Sequence, residues 1–458
     1  MTLPINGRIA IIDDKIEQAI PLINALSKKR CSFSYYSGEL KYLPTEDSAP
    51  NDIRLLFLDI NLIDNTSRSD KELRGKLIPV LKRIISKDNY PYIIVYWSRH
   101  EKEHSELIKD IFEKELNDRR PILYMSHNKL NYFDLDGNIA EDFEQNVEEL
   151  FAKVTDLIEE DPAYSYMLNW ENQIHSSADR TLQDVFSSYH SYENWAENSN
   201  FIISKLGESY TGRSNYKLLT PEDKVKNAFQ AFNNVFYDTQ EYSTSITTIS
   251  KPQELIYDIS KVDVGSIGSI NKKLLLTLDT GSIEYSGVIS EDLNDKSDKI
   301  FEDVLNNSFN RKFIENEIKR TNSDKEDREI QKLLNKEASK IRKEIREDWK
   351  KIYLVVTPLC DFVQRKNSNN RVVKGMLIKS DYIDYIDDKS EAIFISPKFS
   401  DNGTEWILVI NYRYFFTSID CKSVKYIKPI FRIRHQLLAE IQSKLARHIT
   451  RQGVLFIE

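Results

Sequence analysis

Three aspartates stand at the ends of two apolar runs. Arg8-Ile-Ala-Ile-Ile-Asp13-Asp14 is a strand pattern that closes on two acids, and Leu55-Leu-Phe-Leu-Asp59-Ile-Asn61 is a second that closes on one. Side by side, these strands bring Asp13, Asp14 and Asp59 to one edge of a sheet. Three clustered carboxylates repel one another and do not all stay ionised without a cation. A site of oxygen ligands alone selects a hard ion. Mg²⁺, which keeps several waters and accepts phosphate as a further ligand, suits such a set. The chemistry expected of this edge is therefore phosphoryl transfer centred on Asp59.

Such carboxylates need a scaffold that holds the strand ends together. Short apolar runs at 8–14, 31–36, 54–60, 91–98 and 121–126 read as strands. Helical spacing lies between most of them. Ile16, Ala19, Ile20, Ile23 and Leu26 share one face. Leu73, Leu77, Leu81, Ile84 and Ile85 share another, and Leu107, Ile108, Ile111 and Phe112 line a third. Strand alternating with helix predicts βαβ units and a mostly parallel, doubly wound sheet of five strands. Pro21 and Pro79 fall inside two of the helical patterns and predict an interruption in each.

Beyond residue 142 the strand pattern stops. Phe143, Val147, Leu150, Phe151, Val154 and Leu157 form a helical stripe that ends near Asp161-Pro162. Thr220-Pro-Glu-Asp opens another helix, with Thr220 as cap, Pro221 at the first helical position and acids at the positive end of the dipole. Strand-like alternation returns over 250–300, with Gly-Ser turns. A charged helix spans about 323–351, with Ile330, Leu334, Ala338, Ile341, Ile345 and Trp349 on one face. Strand patterns at 352–357, 372–378, 392–396 and 406–416 and a last amphipathic helix follow. This predicts an α/β domain over 1–142, a helical middle domain over 143–245 and a strand-rich α+β domain over 246–458.

The chain has 458 residues, 40% of them hydrophobic and 30% charged, which predicts folded domains over disorder. No run of 18 apolar residues occurs, and the first residues lack the charged head and apolar stretch of a leader. Cys31, Cys360 and Cys421 are far apart, without a CxxC spacing, so neither a disulfide framework nor a thiolate zinc site is expected. These features predict a cytoplasmic protein with no membrane partner. The net charge of −8 argues against nucleic acid as a partner of the whole chain.

The order of motifs resembles the receiver domain of bacterial response regulators over about residues 7–160. The resemblance rests on Asp13-Asp14 after a first strand, Asp59 after a third, and Ser98 at the end of Ile93-Ile-Val-Tyr-Trp-Ser98. It implies that Asp59 accepts a phosphoryl group from a sensor histidine kinase. It implies that Asp13, Asp14 and Asp59 hold Mg²⁺, that the Asn61 backbone carbonyl completes the ligand shell, and that Ser98 bonds a phosphoryl oxygen after transfer. The family also places a lysine after its fifth strand. Ile122-Leu-Tyr-Met-Ser-His127-Asn-Lys129 offers both Lys129 and His127, and neither is followed by proline. The loop after Asp59 is longer than usual, and the second helix is short or missing around Gly38–Asp47. The resemblance implies a signalling protein in place of an enzyme, acting through a partner protein or a homodimer. An anti-phage two-component pathway is one such setting. An effector with a catalytic or nucleic-acid-binding C-terminal domain under a degenerate receiver is the alternative.

Other motifs carry less. Leu278-Asp279-Thr280-Gly281 matches one half of an aspartic protease site, but a turn between two strands explains it as well. His175 lies on a helical pattern, where a surface histidine is the simpler reading. Cys360 has Lys366 where a cysteine phosphatase needs arginine, and no general base is evident, so a buried structural role is expected. Lys422 to Arg451 carries eight basic residues and one acid, the pattern of a solvated helix face as much as of a phosphate-binding one.

Overall fold

The computed structural model describes residues 3–60, 69–98, 101–133, 140–187, 193–249, 252–322, 326–366, 369–418 and 426–450. The side chains of 97–98, 101–105 and 130 also lie outside the description. The chain folds as two compact units, one of residues 1–195 and 232–256 and one of 196–231 and 257–458.

The first unit opens with β1 (Ile9–Ile12), α1 (Ile16–Lys28) and β2 (Phe33–Tyr36). It continues through β3 (Leu55–Asp59), α2 (Asp70–Ile84), β4 (Ile93–Ser98), α3 (Glu101–Lys114) and β5 (Leu123–Asn128). All five strands pair in parallel, in the order β2-β1-β3-β4-β5. This is the flavodoxin-like doubly wound order, in which ligands bind outside the carboxyl ends of the strands at the switch of direction between β1 and β3. Residues 38–48 form two single 3₁₀ turns and no α-helix.

Strand alternation sends side chains to both faces, and both faces are covered. Ile9, Ile11, Leu55, Phe57 and Val95 pack with α1 and with α4 (Phe143–Glu160). Ala10, Ile12, Leu56, Leu58 and Ile94 pack with α2 and α3. Each fully buried branched side chain contributes about 1.5–3 kcal/mol. Both prolines lie within continuous helices, so the predicted interruptions do not occur. Pro21 is itself buried in the α1 stripe, where apolar burial offsets the missing hydrogen bond.

α5 (Pro162–Phe186) starts as its sequence predicts, with Asp161 accepting from the Tyr164 backbone N–H and proline at the first position. It is fastened to the amino ends of the central strands. Arg54 forks onto Glu171 with two contacts of 3.0 Å, Arg8 pairs with the same carboxylate, and the Tyr164 hydroxyl donates to the Arg54 carbonyl at 2.6 Å. The sheet is thus clamped at the end opposite Asp13 and Asp59. Of the helices that follow, α6 (Trp195–Thr211) and α7 (Arg213–Tyr216) fall almost wholly in the second unit, and α8 (Pro221–Ile246) is divided between the two at residue 232.

The second unit is strand-rich. It contains α9 (Ile267–Leu275), β6 (Leu276–Thr277), β7 (Val288–Asp292), α10 (Asp298–Asn306), α11 (Arg311–Thr321) and α12 (Asp327–Asp348). There follow β8 (Lys350–Val355), α13 (Leu359–Val363), β9 (Asn370–Lys379), β10 (Ile393–Ile395), β11 (Phe399–Asp401), β12 (Thr404–Ser418), β13 (Ile427–Ile433) and α14 (His435–Thr450). Its eight strands run β10-β12-β9-β8-β7-β13-β6, with β11 beside β12, and their pairings are antiparallel. One sheet face packs on α14 and the other, in part, on α11 and α12.

Of the alternation expected over 250–300, β7 is a strand, but Ile267–Leu275 is a helix. Ile267, Ile270 and Leu274 are spaced for a helix, and β6 is only two residues long. β6 pairs with β13, so Asp279-Thr-Gly is not a hairpin turn. Among the described residues, no helix is long and apolar enough to cross a membrane.

Candidate functional site

The pairing of β1 with β3 sets the site. Ile12 lies opposite Leu58, so the next residues, Asp13 and Asp59, emerge together at the carboxyl edge. Side-chain oxygens of Asp13, Asp14 and Asp59 all lie within 4.8 Å of one another. Asp13 and Asp59 are buried, and Asp14 is half-buried at the rim.

Lys129, the residue directly after β5, closes the cluster. Its Nζ lies 2.6 Å from Asp59 Oδ2 and 3.2 Å from Asp13 Oδ2, and its side chain is only 5% exposed. His127 instead packs its ring on Tyr132, centroid to centroid 5.4 Å. Strand alternation explains the division, because residues two apart on β5 share a face whereas Lys129 already lies in a 3₁₀ turn.

Two further groups hold Asp13 in place. The Lys15 backbone N–H donates to Asp13 Oδ1 at 3.0 Å, and the Tyr35 hydroxyl donates to the Asp13 carbonyl at 2.6 Å. Tyr35 belongs to none of the sequence motifs. Its register opposite Ile11, two residues before Asp13, is the signal that could have found it.

The electrostatics are those of a crowded acid site. Burial, and then the Asp59 charge, push the Asp13 carboxyl up to about 7 against the pull of Lys129. The same two causes raise Asp14. For Lys129, burial favours the neutral amine, but attraction to Asp59 and Asp13 outweighs it and holds the ammonium above its ordinary value. The Lys129 ammonium thus pairs with two of the three carboxylates. A divalent cation on Asp13, Asp14 and Asp59 would remove the repulsion that raises Asp13, and the all-oxygen donor set suits Mg²⁺.

Ser98 ends β4, one register step beyond the Trp97 that faces Asp59, and its side chain lies outside the described residues. Asn61 also lies outside them.

The remaining motifs do not join this site. His175 is partly exposed on α5. Cys360 is exposed on α13, not buried as expected, with its Sγ 3.6 Å from Asp361 Oδ1. The short helix sets it at the surface. The described part of the basic stretch is divided between β13 and α14. Arg432 lies over the Tyr285 ring, and Lys444 pairs with Glu440 at 2.8 Å.

No family model, curated protein or solved structure matches this chain. The strand order, the acid triad and the lysine are therefore what a functional reading must stand on.

Proposed function

We propose that the first unit is a receiver-like module whose Asp59 accepts a phosphoryl group from a sensor histidine kinase. One observation carries this reading. A buried lysine at the end of the fifth strand bridges two of three carboxylates on the carboxyl edge of a 2-1-3-4-5 parallel sheet. Fold alone does not assign function, but a built site on that edge supports it.

In the proposed reaction an Asp59 carboxylate oxygen forms a bond to phosphorus as the phosphorus–nitrogen bond of a phosphoimidazole breaks. The electron pair stays on the imidazole nitrogen. Asp13 and Asp14, with Asp59 and the Asn61 carbonyl, are the residues that would hold Mg²⁺. When bound, that ion neutralises charge on the transferring oxygens. Lys129, 2.6 Å from Asp59, offers its ammonium to a phosphoryl oxygen. The Ser98 hydroxyl would bond another once the acyl phosphate has formed. The modification adds about two negative charges and would bias the carboxyl face toward a second arrangement. The second unit would then be the output or the surface for a partner.

A second reading keeps the fold and drops the phosphoryl step, leaving the second unit as an effector under a degenerate receiver. Lys129 favours it to the extent that one ammonium already bridges Asp13 and Asp59. Beryllium fluoride with Mg²⁺, an acyl-phosphate mimic, separates the two. A rise in melting temperature in wild type, absent in Asp59→Asn, is expected. No rise would favour the degenerate module.

A further inference from the structure

Polar residues stand in a row on one face of the second unit's sheet where its neighbours would lead one to expect apolar ones. Ser290 of β7 pairs with Tyr353 of β8, and Tyr353 pairs with Lys374 of β9. Asp292 is two residues on from Ser290, so it shares that face. On the opposite face the same strands place Ile289, Ile352, Leu354 and Val373 in the core. Further along, the polar face is covered by α11 and α12 over Met376, Ile378, Ile407 and Val409. Over Ser290 and Asp292 there is instead a cavity of about 390 Å³.

The cavity is built, not a leftover gap. The Asp292 carboxylate is buried and fixed on both sides. It accepts from the Asn294 backbone N–H at 2.9 Å and from the Tyr353 hydroxyl at 3.0 Å. Each of its oxygens keeps lone-pair capacity for another donor. The Lys374 ammonium lies 5.2 Å from the centre of the Phe416 ring, and Phe416 meets Tyr353 edge to face. Ser290 is 2% exposed, lines the cavity, and leaves its Oγ without a hydrogen-bond partner among the described residues. A buried hydroxyl with no partner is costly, and packing gives no reason for it. Val355, Val372 and Phe416 supply apolar walls.

We propose that this cavity binds a heteroaromatic small molecule of nucleobase to nucleoside size. The volume falls in the range of small-ligand sites. The apolar and aromatic walls suit a flat ring. Asp292 accepts from ring or exocyclic N–H groups, and Ser290 both donates and accepts. A hydrocarbon would strand these polar groups, and a sugar alone would leave the walls unfilled.

The test is titration calorimetry of the full-length protein with adenosine, guanosine, cytidine and uridine. At least one should bind saturably, one per chain. Ser290→Val should weaken it about tenfold, the worth of one hydrogen bond. The same variant should melt no lower than wild type, because it removes an unpaired hydroxyl. Val372→Phe, which fills the cavity from another wall, should abolish binding. Failure of all four nucleosides to saturate, or unchanged affinity in both variants, overturns the proposal.

Discussion

Lys129 holds the acid cluster together. It is nearly fully buried and paired with two carboxylates, so its removal takes away the ammonium that lies between Asp13 and Asp59. Breaking a buried pair from one side costs about 3–5 kcal/mol. Lys129→Met is expected to lose about 3 kcal/mol in urea unfolding near pH 8. The loss should be smaller near pH 5, where Asp13 can take a proton, and Mg²⁺ should restore part of it. Asp13 also sets the pH response of the metal-free protein. Its folded value, about 7, lies above the ordinary 3.8, so the folded state holds this proton more tightly. That contribution to stability is full below about pH 4 and is lost as pH rises through about 7. Mg²⁺ competes with the same proton. Melting curves should therefore show a larger Mg²⁺ stabilisation near pH 8 than near pH 5, and the reverse order would contradict the assignment.

Elements decide how close such groups come, and a close approach between strands of the second unit is the clearest case. A Cβ on Gly375 of β9 would lie 2.3 Å from the Val409 carbonyl oxygen of β12 and 2.7 Å from Ile410 Cδ1. Gly375→Ala must push these strands apart next to the register shift between Ile410 and Phe415. Its midpoint in chemical denaturation, followed by far-UV circular dichroism, should fall by an amount equivalent to about 2 kcal/mol. The elements of the first unit were legible in the sequence because parallel strands buried on both faces read as continuous apolar runs. Asp13 and Asp59 followed from those runs. The cation did not. It sits in a 3₁₀ turn just past β5, where strand period no longer says which way a side chain points, so the sequence does not choose between His127 and Lys129. Residues 250–300 misled for a related reason: Gly and Ser between apolar residues imitate strand and turn, whereas Ile267–Leu275 is a helix. The Ser290–Tyr353–Lys374 row was invisible because it depends on pairing between strands distant in sequence.

At the scale of the whole molecule, two units with separate cores share one chain. The acid cluster belongs to the first and the polar cavity to the second, so each can be tested while the other stays intact. The proposed phosphoryl transfer to Asp59 is a property of the first unit. Incubation with a small phosphodonor, acetyl phosphate, and Mg²⁺, followed by intact-protein mass spectrometry, measures it most directly. Wild type is expected to gain the mass of one phosphoryl group and Asp59→Asn none. No gain on wild type, or an undiminished gain on Asp59→Asn, would contradict it.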